Sequence, residues 1–307
     1  MLALVSVKKV WDRGEHNAFT DLCYFENCFW LVFREGQAHV SNDGRIVVLK
    51  SSNGVDWQCA AELTMASIDL RDPKIVVTPA QQLLITTVGA DRSCDDKVGL
   101  QSYLYHSKDG QQWSTPQAVG REHDWIWRTR FIDGVGYGVS YKPSAESTTL
   151  YKMNADYSYS PYVDPLFSKA QNGLGYPNEH DLFSLANGEL CCLLRRDADS
   201  ASAQLGRSVA PYTQWQWRDL GIHTGGPVAL LLSNQQLLLA VRLLKPERTS
   251  LCSLDVEAGK VKELITLPSK GDSSYAGLVE HEGKVWCSYY SSHEGKTSIY
   301  MAELLID

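Results

Sequence analysis

The sequence lacks any long apolar run, and no stretch approaches the roughly 20 residues that a membrane-spanning helix needs. Its first ten residues place their charges after the apolar residues and precede no small-residue cleavage site, so we expect no signal peptide. No Pro-, Ser- or Gly-rich tract and no block of like charge divides the chain. We therefore expect a cytoplasmic protein with one domain over residues 1–307.

Basic residues are in deficit, with 29 Lys and Arg against 36 Asp and Glu and a net charge of −7. This balance argues against nucleic acid or an anionic membrane as the main partner. The eight cysteines form no C-x-x-C pair and no cluster with histidine, so the spacing predicts no zinc site. We expect reduced thiols, and neither a metal nor an organic cofactor.

Two short segments share the pattern S-x-[D/N]-G-x-x-W, at residues 51–57 and 107–113. Each follows an apolar run, and Asn or Asp followed by Gly is typical of tight turns, because Gly accepts a positive φ. The tryptophan is placed to fold back over the turn. A turn that recurs after about 50 residues predicts an array of similar sheets.

Helical periodicity is scarce, while short β-branched and aromatic runs recur between turn residues. They fall into six units of three strands, which predict an all-β, six-bladed β-propeller. The predicted strands are 18–25, 29–34 and 45–50; 72–78, 83–88 and 101–106; 128–132, 137–141 and 148–153; 179–185, 189–195 and 203–208; 227–232, 237–242 and 250–254; and 275–280, 284–290 and 297–302. We expect residues 2–10 to supply the fourth strand of the last blade and close the ring.

Polar residues recur where these strands would meet one mouth of the central channel. Charged residues are rarely buried unless they are paired or functional, so their recurrence indicates a site. The first strands contribute Asp21, Arg71, Asp72, Arg128, Arg130, Glu179, Asp181 and Tyr275, and the ends of the second strands contribute Arg34, Tyr141, Arg195, Arg242 and Tyr290.

Several arginines with a Tyr, a Glu and an Asp suit the hydrolysis of an acidic sugar. Arginines bind a substrate carboxylate through charge-assisted hydrogen bonds. A carboxylate on the anomeric carbon repels an anionic nucleophile, whereas a neutral Tyr hydroxyl avoids this repulsion and needs a neighbouring Glu as its base. A separate Asp can protonate the leaving oxygen. Sialidases use such a Tyr nucleophile.

The two S-x-[D/N]-G-x-x-W turns resemble the Asp-boxes of the sialidase superfamily, whose members are six-bladed propellers. The resemblance covers residues 18–304 and implies an exo-glycoside hydrolase. By position, Tyr275 resembles the nucleophile and Glu179 its base, and Asp72 or Asp21 would be the acid/base. The residues that would contact substrate are Arg34, Arg71, Arg128, Arg130, Asp181, Arg195, Arg242 and Tyr290.

Two alternatives stay open. Asp21, Asp72 and Glu179 also resemble the three carboxylates of five-bladed furanosidases of the invertase and arabinanase type, in which case Tyr275 would be idle. The chain would otherwise be a non-catalytic propeller that binds a glycan or a protein. The number of blades and the distance between Tyr275 and Glu179 separate these interpretations.

Overall fold

The computed structural model describes residues 2–93 and 98–306 of the 307-residue chain. Within this part of the chain, 24 strands form six four-stranded antiparallel sheets. The innermost strands of successive sheets contact one another in a closed ring. This arrangement confirms the predicted six-bladed β-propeller, and it rules out the five-bladed interpretation.

Each blade has its strands in the same order from the channel outwards. The strands of the first three blades are β2 (His16–Phe25), β3 (Cys28–Gly36), β4 (Arg45–Ser51) and β5 (Gln58–Leu63); β6 (Ile68–Val77), β7 (Leu83–Asp91), β8 (Gly99–Ser107) and β9 (Gln117–Val119); and β10 (Trp125–Ile132), β11 (Val135–Lys142), β12 (Ser147–Met153) and β13 (Tyr159–Ser168). Those of the last three are β14 (Pro177–Ser184), β15 (Leu190–Arg196), β16 (Gln204–Ser208) and β17 (Gln216–Asp219); β18 (Gly225–Leu231), β19 (Leu237–Leu243), β20 (Arg248–Asp255) and β21 (Lys260–Thr266); and β22 (Ser273–His281), β23 (Lys284–Ser291), β24 (Ser298–Ile306) and β1 (Leu2–Trp11).

Helical structure in the described residues is limited to a short α-helix, Lys169–Asn172, and a 3₁₀ turn, Pro143–Ala145. Neither is long and apolar enough to cross a membrane. The seven cysteines in this part of the chain are free thiols, and Cys94 lies outside it.

The N-terminal strand closes the ring. β1 pairs antiparallel with β24, from Leu2 opposite Ile306 to Trp11 opposite Ile299. The strand predicted at residues 2–10 is therefore confirmed. Its backbone groups cover the edge of β24, which would otherwise offer unpaired donors and acceptors to another chain.

Apolar side chains fill the spaces between neighbouring blades. Phe29 and Phe33 of the first blade pack with Trp286 and Ile299 of the last. The opposite face of the first blade, including Trp30, packs against the second blade. Because side chains alternate along a strand, each middle strand serves two interfaces, which explains its nearly continuous apolar sequence.

The two related turns have matching hydrogen bonds. In the first, the Gly54 N–H donates to Ser51 Oγ over 2.9 Å and Trp57 Nε1 donates to the Gly54 carbonyl over 3.1 Å. The equivalent bonds in residues 107–113 measure 2.8 and 3.0 Å. Both turns pack on the neighbouring blade, since a Cβ on Gly54 would lie 2.6 Å from the ring of Trp286.

Each inner strand contains a β-bulge at the same depth. The pairing with the second strand shifts there by one residue in all six blades, after Ala18, Arg71, Ile126, Pro177, Gly225 and Ser274. Four residues that open these bulges have positive φ angles: Phe19, Asp72, Gly226 and Tyr275. Bulges redirect the side chains near them. All six bulges lie at the same end of the channel.

Candidate functional site

Tyr275, Glu179 and Arg195 form the centre of the site. The Tyr275 hydroxyl donates to Glu179 Oε1 over 2.8 Å, and Arg195 Nη1 donates to the same hydroxyl over 3.0 Å. Arg195 also forms an ion pair with Glu179 Oε2 at 2.8 Å and another with Asp197 Oδ2 at 2.8 Å. The phenol therefore has a carboxylate acceptor and a guanidinium donor at once.

The ring of Tyr275 is half-buried among aromatic side chains. Its centroid lies 5.2 Å from that of Phe19 and 5.6 Å from that of Trp127, and the guanidinium of Arg242 lies 5.2 Å above it. Burial, and secondly the charge of Glu179, raises the pKa of Tyr275 above its ordinary value. The hydroxyl is thus neutral at physiological pH and needs a base to become a nucleophile.

Gly226 leaves the space that Tyr275 occupies. A Cβ on Gly226 would lie 2.9 Å from Tyr275 Cγ, and its φ of +51° disfavours any other residue. The bulge of the fifth blade thus carries no side chain, and the phenol of the sixth blade fills that position.

Asp72 presents an unengaged carboxyl group at the same depth. It is buried, and among the described residues nothing donates a hydrogen bond to its Oδ1. Burial, with a contribution from the charge of Glu179, raises the pKa of Asp72 to about 6, although Arg71 and Lys74 oppose the shift. Such a carboxyl group can give up a proton and take it back near neutral pH.

Arg242 of the fifth blade and Tyr290 of the sixth blade lie beside the phenol. Arg242 Nε donates to the Ser273 carbonyl over 3.1 Å, and Tyr290 donates to Asp272 Oδ1 over 2.6 Å. Arg242 lies 3.6 Å from the same carboxylate oxygen. The side chains of Arg242 and Asp272 keep 14% and 29% of their exposure, so both remain accessible to a small molecule.

Arg71 approaches the site from the second blade. Its guanidinium lies 5.2 Å from the ring of Phe19, donates to the His39 carbonyl over 2.7 Å and pairs with Asp69 at 3.2 Å. Together with Arg195 and Arg242, it adds positive charge around Tyr275.

The channel beneath the site contains a buried ion network. Asp21 accepts from Arg128 Nη1 over 2.6 Å and from the Ile75 N–H over 2.9 Å. Asp181 pairs with Arg130 over 2.8 and 2.6 Å and lies 3.7 Å from Arg128. These four residues pair with one another, although Arg128 Nε has no hydrogen-bond partner among the described residues. Both oxygens of Asp21 are engaged, so of the two candidate acids the geometry favours Asp72.

Arg34 is not brought to the site. It is fully buried, and its guanidinium donates to Asp69 at 2.7 Å, to the Ala38 carbonyl at 2.9 Å and to Ser41 at 2.9 Å. All three of its nitrogens are engaged, one by Asp69 of β6 and two by the loop after β3, so Arg34 offers no free donor to a ligand.

Sequence reasoning gave no role to Phe19 or Asp272. Phe19 packs against Tyr275 and Tyr290, and Asp272 anchors Tyr290. The bulges that turn Phe19 inwards have no recognisable residue pattern. Asp272 lies three residues before Tyr275, and this proximity is the one signal that could have found it.

Comparisons with known structures support the same fold. An uncharacterised protein from Dyadobacter fermentans has 18% identity and a TM-score of 0.85, and the match covers 100% of this chain and 99% of that one. The α-L-arabinofuranosidase of Fusarium graminearum, solved with arabinobiose, has 12% identity and a TM-score of 0.75 over 98% and 97% of the two chains. The Trypanosoma rangeli sialidase, solved with the inhibitor DANA, has 12% identity and a TM-score of 0.71 over 94% and 55%.

At these identities the property that these proteins share with the chain is the six-bladed propeller fold. No protein-family model and no curated protein matches the sequence.

Proposed function

We propose that this protein is an exo-acting, retaining glycoside hydrolase for sugars that carry a carboxylate on the anomeric carbon. The observation that supports this most strongly is the 2.8 Å hydrogen bond from Tyr275 to Glu179, with Arg195 at 3.0 Å from the same hydroxyl. A neutral phenol next to a carboxylate base is the arrangement that an acidic anomeric centre requires.

In the first step, Tyr275 Oη attacks the anomeric carbon while Glu179 takes the phenolic proton. The glycosidic bond breaks, and protonated Asp72 transfers its proton to the leaving oxygen. A glycosyl-tyrosine intermediate results. Arg195 stabilises the developing negative charge on the phenol oxygen through its existing contact.

In the second step, Asp72, now ionised, removes a proton from a water molecule, which attacks the anomeric carbon. The bond to Tyr275 breaks, and Glu179 returns the proton to the phenolate. Two inversions restore the original anomeric configuration. The pKa of Asp72 of about 6 suits both halves of this exchange near neutral pH.

The arginines account for the substrate's charge. Arg195 and Arg242 lie on two sides of Tyr275, and their side chains are 13% and 14% exposed. Arg71 adds a third guanidinium across Phe19. A sugar carboxylate in this space would accept charge-assisted hydrogen bonds from groups that are already held in place.

A second candidate function is the hydrolysis of a neutral furanoside. The Fusarium graminearum structure contains arabinobiose in a propeller of the same fold. The carboxyl groups of Asp72 and Glu179 are near enough for the charge of one to affect the pKa of the other. In this case Glu179 would be the nucleophile, Asp72 the acid/base, and Tyr275 a positioning residue.

We also propose that the chain acts as one domain in the cytoplasm, with carbohydrate rather than nucleic acid or membrane as its partner. The net charge of −7 supports the last point, because an acidic protein is repelled by nucleic acids and anionic membranes.

The test is a panel of fluorogenic glycosides that includes sialosides, other 2-keto acid glycosides, arabinofuranosides and neutral pyranosides. We expect turnover of an acidic glycoside that Tyr275→Phe abolishes. The matched control is Tyr162→Phe, because the Tyr162 hydroxyl donates to the Pro211 carbonyl on the outer surface.

Turnover of a furanoside that depends on Glu179 and survives Tyr275→Phe would select the second candidate. A panel without turnover, together with saturable binding of one of its sugars, would select a binding protein and overturn both proposals.

A further inference from the structure

Three potential metal ligands converge beside the site. His16 Nε2 lies 3.0 Å and His39 Nδ1 lies 2.8 Å from the same oxygen of Asp272, Oδ2. All three ligand atoms lie within 4.8 Å of one another. They come from the start of β2, the loop after β3 and the loop before β22, with up to 256 residues between them. Such spacing gives no sequence motif.

Surrounding groups hold this cluster in place. The other oxygen of Asp272 accepts from Tyr290 over 2.6 Å, which leaves Oδ2 directed at the histidines. The ring of His16 is buried against Phe19, and the His39 carbonyl accepts from Arg71 over 2.7 Å. The contact from Tyr290 orients the carboxylate in the way that outer groups orient metal ligands, whereas His16 Nδ1 has no hydrogen-bond partner among the described residues.

The ligand set selects a class of ion. Two imidazoles and one carboxylate suit Zn²⁺ and related transition metals rather than Ca²⁺ or Mg²⁺, which take oxygen ligands. Zinc–ligand bonds of about 2.0–2.2 Å place tetrahedral ligand atoms roughly 3.3–3.6 Å apart. The observed 2.8 and 3.0 Å separations reach this range with shifts of a few tenths of an ångström.

One side of the cluster is open. The side chains of His39 and Asp272 are 49% and 29% exposed, so a fourth position can hold water or an oxygen of a ligand. Two guanidinium groups oppose a cation here: Arg242, 3.6 Å from Asp272 Oδ1, and Arg71, bonded to the His39 backbone. We therefore expect moderate rather than very tight affinity.

We propose that His16, His39 and Asp272 bind one divalent transition-metal ion, with Zn²⁺ the best fit, at the edge of the glycosidase site. This inference does not depend on the proposed function. A bound ion would compete with Arg242 for the charge of Asp272, and would thereby make Arg242 more available to a substrate carboxylate.

Isothermal titration of the EDTA-treated protein with Zn²⁺ alone tests the proposal. We expect about one ion per chain and at least tenfold weaker binding in His39→Ala, which alters an exposed loop, and in Asp272→Asn. His123→Asn is the matched control, because the His123 side chain is 45% exposed and lies 3.7 Å from Glu122, and Asn tolerates its φ of +65°. Its binding should equal that of the wild type.

Cobalt(II) supplies an independent readout, since a site with two imidazoles and a carboxylate gives visible absorption bands that His39→Ala should remove. The proposal fails if the wild type binds no Zn²⁺, or if His39→Ala binds it as tightly as His123→Asn does. In that case the histidines serve only as hydrogen-bond partners of Asp272. No glycoside enters this experiment, so its result is separate from that of the glycosidase test.

Discussion

The Tyr275 hydroxyl donates a 2.8 Å hydrogen bond to Glu179, although 96 residues separate the two in the sequence. The contact joins the inner strand of the sixth blade to that of the fourth, across the mouth of the channel. Both residues belong to β-bulges of their strands, so ring closure and local irregularity together produce the pair.

Glu179→Gln should lower kcat/KM by roughly 10²–10⁴-fold, because an amide cannot take the phenolic proton. The measurement is the hydrolysis of an acidic glycoside under substrate-limiting conditions. Glu189→Gln is the matched control, because Glu189 also pairs with an arginine, Arg207, but lies just before β15, at the opposite end of that strand from Arg195. Equal losses in the two variants would mean that Glu179 acts only through folding.

The rate should depend on the protonation of Asp72. As the acid, Asp72 must carry a proton, and its pKa is about 6, so kcat/KM should fall as the pH rises above 6. Asp72→Asn should be slower and should lose this descending limb. pH–rate profiles of both proteins with a poor leaving group test this. An unchanged limb in Asp72→Asn would assign the acid role elsewhere.

Asp72 should also reduce stability at neutral pH. Its folded-state pKa of about 6 exceeds the ordinary value of 3.8. The folded protein is therefore most stable, with respect to this group, below about pH 4, where Asp72 is protonated, and it loses that stability as the pH rises through 6 and the buried carboxyl group ionises. Asp72→Asn removes a buried charge and tolerates the φ of +51°.

We expect Asp72→Asn to raise the free energy of unfolding at pH 8 by about 1–3 kcal/mol and to leave it nearly unchanged at pH 4. Denaturant unfolding at both pH values measures the difference. A stabilisation that is equal at the two pH values would show that ionisation of Asp72 is not its source.

Gly226→Ala should displace Tyr275, because the new Cβ would lie about 2.9 Å from the ring. We expect at least a tenfold loss of kcat/KM, since small misplacements of reacting groups are costly. Gly221→Ala is the control: its φ is +64°, and among the described residues nothing lies within 4 Å of its added Cβ. Both variants place Ala at a positive φ, so activity in Gly226→Ala equal to that of Gly221→Ala would contradict the packing argument.

Much of the fold follows from the sequence. The inner three strands of each blade are strongly apolar and end at turn residues, so they were located to within a few residues. The outer strands were missed in five blades. Their residues are largely polar, as in Lys260–Thr266, because one face meets solvent and the other completes a sheet that is already buried.

The site was predictable only in part. The sequence places Tyr275, Glu179 and Arg195 among the candidates, and the structure brings them together. The alternation of side chains along a strand did not show which arginines are buried and which reach Tyr275. Arg34 and Arg196 occupy equivalent positions at the ends of β3 and β15, opposite Ala18 and Pro177, and both are fully buried. Arg242 has the same position in β19, opposite Gly225, yet reaches Tyr275.

The difference among these arginines arises from the groups that neighbouring strands and loops offer to them. Asp69 and Ser41 bind the guanidinium of Arg34, and Asp199 binds that of Arg196. Arg242 instead contacts the Ser273 carbonyl beside Tyr275. Asp69 and Ser273 lie 35 and 31 residues from the arginines that they contact, so these two partners become visible only in three dimensions.

The most direct test of the account is covalent trapping of the nucleophile. The protein is incubated with a difluorinated 2-keto acid sugar, which forms the glycosyl-enzyme but releases it slowly, and its peptides are analysed by mass spectrometry. The account predicts one added glycosyl group, attached to the hydroxyl of Tyr275 and absent in Tyr275→Phe. A label on Glu179 or Asp72, or no label on protein that hydrolyses the parent glycoside, would contradict it.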